Sequence, residues 1–279
     1  LQDRIKLGPP IRKMQALFKQ MNSSYWDGVA KSLKETKPKN FWRSYNDAVN
    51  NLAFSRWLPV GKTALRVLKT DLFDESLGKG LYPLLRENAE SVFGMDVSSV
   101  TAGRAKLNHP DINVVVADVR KIPFLDGSFD IVVSNSTLDH FDSIEDIVIS
   151  LRELYRVLKK GGLLLITLDN PLNPVITIRN ILPFWFLHST RLIPYRVGAT
   201  LSARHLRKLL EQLGFKVVEV KTIMHFPRIL IRLVEAVSKK ISEGTQQRLI
   251  EFLISFERLS SLPTGLLTGY FTGIKAIKQ

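Results

Sequence analysis

Four aspartates, Asp71, Asp96, Asp118 and Asp139, stand at or just past the ends of apolar, strand-like runs. A carboxylate in such a place is an anionic acceptor, able to take both hydroxyls of a diol or an N–H of a cation. Asp96 closes SVFGMD at 91–96 and suits the diol; the competing role is to cap the helix that begins near Ser98. Asp118 closes INVVVAD at 112–118 and is either a ligand acceptor or a loop aspartate bonded to its own backbone. Asn135 and Ser136 end FDIVVSN at 129–135, and Thr137 to Phe141 continue the same wall. There His140 is of the residue type that most often serves as a general base, with Asp139 as the alternative; the commoner fate of such a histidine is to pack or hydrogen-bond.

Other chemistries find no residues. The chain has no cysteine, which removes disulfides, thiolate metal sites and cysteine nucleophiles, and which fits a reducing compartment. His109, His140, His188, His205 and His225 show no paired metal-ligand spacing, so no metal site is expected. No Gly-x-Ser-x-Gly elbow is present. GKT at 61–63 lacks the upstream glycine of a phosphate loop and precedes a strand instead of following one.

The elements that must position these groups alternate at short spacing. Leu65 to Leu68 reads as a first strand, Leu77 to Ala89 as a helix, 91–96 as a second strand and Val100 to Leu107 as a second helix. The continuous β-branched run at 112–118 is expected of a strand buried on both faces of a parallel sheet, and 129–135 follows after the Asp126–Gly127 turn. Ile144, Ile147, Val148, Leu151, Leu154, Tyr155 and Leu158 keep helical spacing, with Gly161 and Gly162 as its stop before GLLLITLDNP at 162–171. This is a doubly wound α/β pattern, whose ligand belongs at the carboxyl ends of the strands near the switch point. Then follow a helix at 201–213, a strand at 215–223, amphipathic helices near 227–241 and 245–260, and a closing strand at 268–278, as an antiparallel edge pair requires.

Charge divides the chain. Residues 1–70 carry 14 basic against 4 acidic residues, 71–170 carry 10 against 16, and 171–279 carry 16 against 6, for a net +14. Basic flanks suit an anionic partner, be it a membrane surface, a phosphorylated substrate or nucleic acid, or they form a solvated surface. PPIRKMQALFKQM at 9–21 and IRLVEAVSKK at 231–240 are amphipathic, and RNILPFWFLH at 179–188 is apolar and aromatic; they suit either lipid headgroups or the cover of a core or a small hydrophobic pocket. No uncharged apolar run reaches the roughly 18 residues needed to span a bilayer, and no signal peptide is seen at the start, so a cytoplasmic protein, peripheral to a membrane at most, is expected.

VFGMDVS at 92–98, VVADVRKIPFLDGSFDIVVSNSTLDHF at 115–141, LRELYRVLKKGGLLLITLDNP at 151–171 and HLRKLLEQLGFKVVEV at 205–220 stand in one order. In that order they resemble the class I S-adenosylmethionine-dependent methyltransferases of the small-molecule, lipid or quinone type. The resemblance implies a Rossmann-like, mostly parallel seven-stranded sheet with an antiparallel C-terminal edge strand. It also implies a helical cap or lid at 1–60 and a methyltransferase domain at 61–279 with helical insertions near 172–200 and 225–262. Its cofactor would be S-adenosylmethionine and its acceptor a small-molecule or lipid-like compound. By the same resemblance Asp96 and Val97 would meet the ribose, Asp118 and the Val119 amide the adenine, and Asn135 and Ser136 the sulfonium side; FWRSYNDAVNNLAFSRWLP at 41–59 would lie over the cofactor, with Tyr45 in contact. SNST at 134–137 stands where base-modifying relatives carry Asn/Asp-Pro-Pro-Tyr, so nucleic acid is not the expected substrate.

RVLKTDLFDESLGKG at 66–80 departs from the family. Lys69 falls where the first acid stands, and Asp71, Phe73 and Glu75 fall on three glycines. A two-residue shift lets Asp71 receive the methionine ammonium, with Phe73 beside it, because an ammonium needs an acceptor. A variant pocket, a pocket for another ligand and a fold that has lost its cofactor all remain open here, and the oligomeric state is not legible.

Overall fold

The computed structural model describes residues 23–32, 41–59, 65–189, 193 and 197–279. The segments at 9–21 and 61–63 singled out above lie outside them. Residues 23–32 form α1, followed by α2 (Phe41–Ser55), β1 (Arg66–Lys69), α3 (Phe73–Leu77), α4 (Tyr82–Glu87), β2 (Ser91–Asp96), α5 (Ser99–Asn108), β3 (Asn113–Val116) and β4 (Phe129–Asn135). Then come α6 (Ile144–Val157), β5 (Leu158–Asp169), α7 (Pro174–Ile181), α8 (Phe184–Ser189), α9 (Ala203–Gln212), β6 (Phe215–Ile223), α10 (Ile231–Ser238), α11 (Glu243–Ile254), α12 (Gly265–Thr268) and β7 (Phe271–Lys278).

The seven strands form one sheet in the order β3-β2-β1-β4-β5-β7-β6. β1 to β5 pair in parallel, and β7 runs antiparallel to both β5 and β6. The antiparallel pair closes one side as expected, with β7 inside it and β6 outermost. Alternate residues face opposite layers. Val67, Ile131, Val133 and Leu165 pack with α2, α4 and α11, while Leu68, Val132, Leu164 and Ile166 pack with α6 and α9. Strands covered on both faces have no room for polar alternation, as in the Ile131–Val133 centre of β4, whereas β3, expected to be buried on both faces, is an edge strand with half-buried and exposed residues.

Two further expectations are corrected. The helix expected over Leu77 to Ala89 is reduced to α4 at Tyr82–Glu87; α3 ends at Leu77, where it was expected to begin, and a turn in which Gly80 takes φ +55° separates the two. Gly161 and Gly162 do not stop α6, which ends at Val157 on passing directly into β5. No helix of the described residues is long and apolar enough to cross a membrane.

Sequence order reverses between β1 and β4, so their carboxyl ends diverge into a crevice. The helices α1, α2, α7, α8 and α10 supply side chains that close over it.

Candidate active site

The turn after β1 is built on charge instead of glycine. Lys69, the last residue of β1, is buried, and its ammonium lies 2.9 Å from Glu75 Oε2 and 3.9 Å from Asp71 Oδ1 while donating to the Asp71 carbonyl. Glu75 is equally buried, and its Oε1 accepts the Leu81 amide at 2.9 Å. One carboxylate therefore joins the start of the turn to its end. Gly80 is the residue that lets this happen: a Cβ there would stand 2.4 Å from Glu75 Oε1, and its left-handed φ favours glycine as well. Asp71 Oδ1 accepts the Phe73 amide at 3.0 Å, and the carboxylate borders the crevice. Burial pushes the Asp71 carboxyl up against the pull of Lys69, and Asp74, one turn further along, is pushed by burial to about 7.

Asp96 ties two strand ends together. Its Oδ2 accepts the Leu72 amide at 3.1 Å and its Oδ1 the Ser98 amide at 2.8 Å. Burial, with Asp71 close by, pushes it up to about 7. The cap of α5 is Ser98, whose Oγ accepts the Thr101 amide, so helix capping falls to the serine. Asp118 also borders the crevice, but Arg120 forks onto both its oxygens, with contacts at 2.7 Å and 3.1 Å, and reaches Asp146 at 3.0 Å. The carboxylate is thus oriented and partly occupied by its own chain.

Asn135 and Ser136 follow from β4. Asn135 Oδ1 accepts the Thr167 hydroxyl at 2.7 Å, and the Ser136 amide donates to Thr167 Oγ1 at 3.0 Å. Ser136 holds φ 48°, a left-handed conformation uncommon outside glycine and concentrated at functional sites. Just beyond, Asp139 Oδ2 accepts the Asp169 amide at 3.2 Å, while the buried Oδ1 has no hydrogen-bond partner and lies 4.0 Å from His140 Nε2. Burial and the neighbouring Asp169 push Asp139 up to about 6. Asp169 itself is paired with the buried Arg179 at 2.5 Å.

These groups border one cavity of about 780 Å³. Asp71, Phe73, Asp96, Val97, Asp118, Val119, Asn135, Ser136, Asp139 and His140 all line it. Tyr45 does not. It is sealed in the core against Phe226 and Trp42, and α2 meets the cavity through Trp42, Arg43, Asn46 and Asn50 instead, because aromatic residues on both faces of this helix hide which face is inner. Sequence reasoning also missed Trp26, whose ring lies 4.8 Å from that of His140, and Arg228 from the turn before α10. Trp26 and His140 are more than a hundred residues apart, and Arg228 meets Trp42 and Tyr270 from distant elements, so no local pattern marks them. Helix α1 is pinned by Asp27, which accepts the Ser98 hydroxyl at 2.6 Å and the Val100 amide at 3.2 Å.

The donor set fits a cationic ligand that carries a diol. Carboxylates of Asp71, Asp96 and Asp139 converge on the cavity, and one buried oxygen, Asp139 Oδ1, waits without a hydrogen bond.

A methyltransferase-domain family profile matches residues 76–166. The chain is 26% identical over 165 residues, 59% of each chain, to a probable S-adenosylmethionine-dependent methyltransferase of Mycolicibacterium smegmatis. It is 33% identical over 141 residues to the demethylmenaquinone methyltransferase of Chlorobaculum parvum, covering 46% of this chain and 57% of that one. The chain thus spans less than two thirds of the length of these curated relatives. In fold it is similar to the crystal structure of an S-adenosylmethionine-dependent methyltransferase from Mesorhizobium loti, with TM-score 0.54 and 17% identity over 84% of this chain and all of the other. The profile over residues 76–166, the curated relatives and the strand order around the crevice agree in supporting the class I S-adenosylmethionine-dependent methyltransferase superfamily.

Proposed function

We propose that this chain transfers a methyl group from S-adenosylmethionine to a small, largely apolar acceptor. The observation that carries the reading is the acid-lined cavity at the carboxyl ends of β1, β2 and β4. When bound there, the cofactor supplies an electrophilic methyl on a sulfonium. Asp71 would receive its ammonium and Asp96 its ribose hydroxyls, while the Val119 amide and Asp118 meet the adenine. Asn135 and Ser136 would shape the sulfonium side. His140, or Asp139 beneath it, would take the proton of an acceptor hydroxyl as its oxygen attacks. The remaining work is alignment and exclusion of water, for which the enclosing helices are suited.

The apolar acceptor rests on the other half of the cavity, where Val175, Ile178, Leu182, Leu187 and Ile231 stand. Similarity to a demethylmenaquinone methyltransferase supports a quinone-like or lipid-like compound. Exposed Ile181 and Trp185 beside the same helices support entry from a membrane surface.

Two observations favour a second reading, a fold that no longer takes the cofactor: Arg120 already holds Asp118, and Lys69 and Glu75 replace the flexible glycine turn. Calorimetric titration with S-adenosylhomocysteine decides between them. Micromolar binding that Asp96→Lys abolishes, in a variant that still melts cooperatively, supports the methyltransferase. No heat and no thermal stabilisation up to millimolar ligand supports the second reading.

A further inference from the structure

Three arginines line the cavity, Arg43, Arg179 and Arg228, and their circumstances differ. Arg179 is paired with Asp169 at 2.5 Å, and a second acceptor, Asn180 Oδ1, takes its Nη2 at 2.9 Å. Arg43 donates to the Leu77 carbonyl at 3.1 Å in the field of Asp74 and Asp47. Arg228 has neither kind of compensation. Its guanidinium carbon lies over two rings, 4.5 Å from the centroid of Trp42 and 4.2 Å from that of Tyr270. No carboxylate or carbonyl among the described residues receives its N–H groups.

Stacking on rings fixes a guanidinium in place while leaving its edge of donors unspent. That edge matches the two oxygens of a carboxylate, which it would take as a bidentate pair. The same cavity is lined by the apolar Ile231, Phe271, Val175, Ile178, Leu182 and Leu187, beside the polar Asn46 and the Arg179–Asp169 pair, which is already neutralised. The chemistry is that of an amphipathic ligand, with an anionic head at Arg228 and a hydrocarbon body along these helices. The acids assigned above to the cofactor, Asp71, Asp96 and Asp118, follow β1, β2 and β3, whereas Arg228, Trp42 and Tyr270 belong to α2 and to the turns leading into α10 and β7.

We propose that Arg228 anchors the acceptor, binding a carboxylate on an otherwise apolar molecule. The word acceptor rests on the methyltransferase reading, but the binding site does not, so the two are tested apart.

The probes are octanoate and its neutral counterpart octan-1-ol, titrated by calorimetry and by quenching of tryptophan fluorescence, with S-adenosylhomocysteine titrated separately. A charge-assisted bidentate pair is expected to favour octanoate by about tenfold or more. Arg228→Gln should erase that preference while leaving octan-1-ol and S-adenosylhomocysteine binding unchanged, and Arg228→Lys, which keeps charge but not the planar fork, should restore only part of it. Equal binding of the two probes by the unaltered protein, or no octanoate binding up to millimolar, overturns the proposal without any variant. Loss of S-adenosylhomocysteine affinity in Arg228→Gln would also overturn it, by placing the guanidinium on the cofactor's own carboxylate. Octanoate selectivity without S-adenosylhomocysteine binding would retain the site and remove the methyltransferase reading.

Discussion

The Lys69 ammonium and the Glu75 carboxylate meet at 2.9 Å inside the protein, both side chains shut off from solvent. Their attraction sets the turn that borders the cavity, and Asp71, Phe73 and Asp74 are held on the outer side of it. Removing one partner strands the other. Lys69→Met is expected to cost about 3–5 kcal/mol in denaturant unfolding, and pairing it with Glu75→Gln should cost less than the two single losses added. Additive losses would mean that the two groups are not coupled.

The raised carboxyls Asp96 and Asp74, both near 7, make stability fall as pH rises. Between the ordinary carboxylate range and about pH 7, the folded protein holds protons that the unfolded chain has already released, so each step up in pH favours unfolding. Asp71, beside Asp96, acts in the same direction and Lys69 opposes it. Melting temperatures of the ligand-free protein should therefore decline from about pH 5 to about pH 8. The ammonium of S-adenosylhomocysteine, received by Asp71, favours the ionised carboxylate, so its binding should release protons, seen as a heat that changes with the ionisation enthalpy of the buffer. A flat melting profile would show that these acids ionise normally.

His140→Gln separates base from packing. If the imidazole takes the acceptor's proton, methyl transfer should drop by about 100-fold in kcat, with S-adenosylhomocysteine affinity preserved. If the ring serves only to hold Trp26 across its 4.8 Å contact, the loss will fall on KM instead.

Asp27→Ala tests the hold on α1. Burial pushes this carboxyl up, but hydrogen bonds from Ser98, Val100 and Ser99 outweigh it and keep the group below its usual range. It also lies at the amino end of α5, where a negative charge contributes roughly 0.3–1 kcal/mol. Global stability should fall by no more than about 1 kcal/mol. Trp26 loses its mooring, however, and S-adenosylhomocysteine should bind about fivefold more weakly, the equivalent of about 1 kcal/mol. Unchanged affinity would separate α1 from the cofactor half of the cavity.

Much of this was legible in the chain. SVFGMD, FDIVVSN and FKVVEVKTI are strands over the residues read as strands, since apolar β-branched runs bounded by turn residues leave little choice. The acids at their ends line the cavity because strand ends converge at the switch point. Periodicity could not say which face of α2 turns inward, which is why Tyr45 was misplaced. Nor could it foresee that Arg120 would fold back onto Asp118, or that Lys69 would find Glu75 across a turn whose closing glycine looked late. Those are pairings of charges, and charges carry no period.

The turn after β1 also bears on how this chain can change. A glycine turn tolerates drift one position at a time, whereas here Lys69, Glu75 and Gly80 constrain one another through a single carboxylate. Losing one member of the pair would use about 3–5 kcal/mol of a margin that is typically about 5–15 kcal/mol for a folded domain. Descendants of this sequence should therefore keep Lys69 and Glu75 together or replace both at once, and a lineage returning to the glycine-rich turn would have to cross a poorly folded intermediate. The two positions are expected to inherit as a pair.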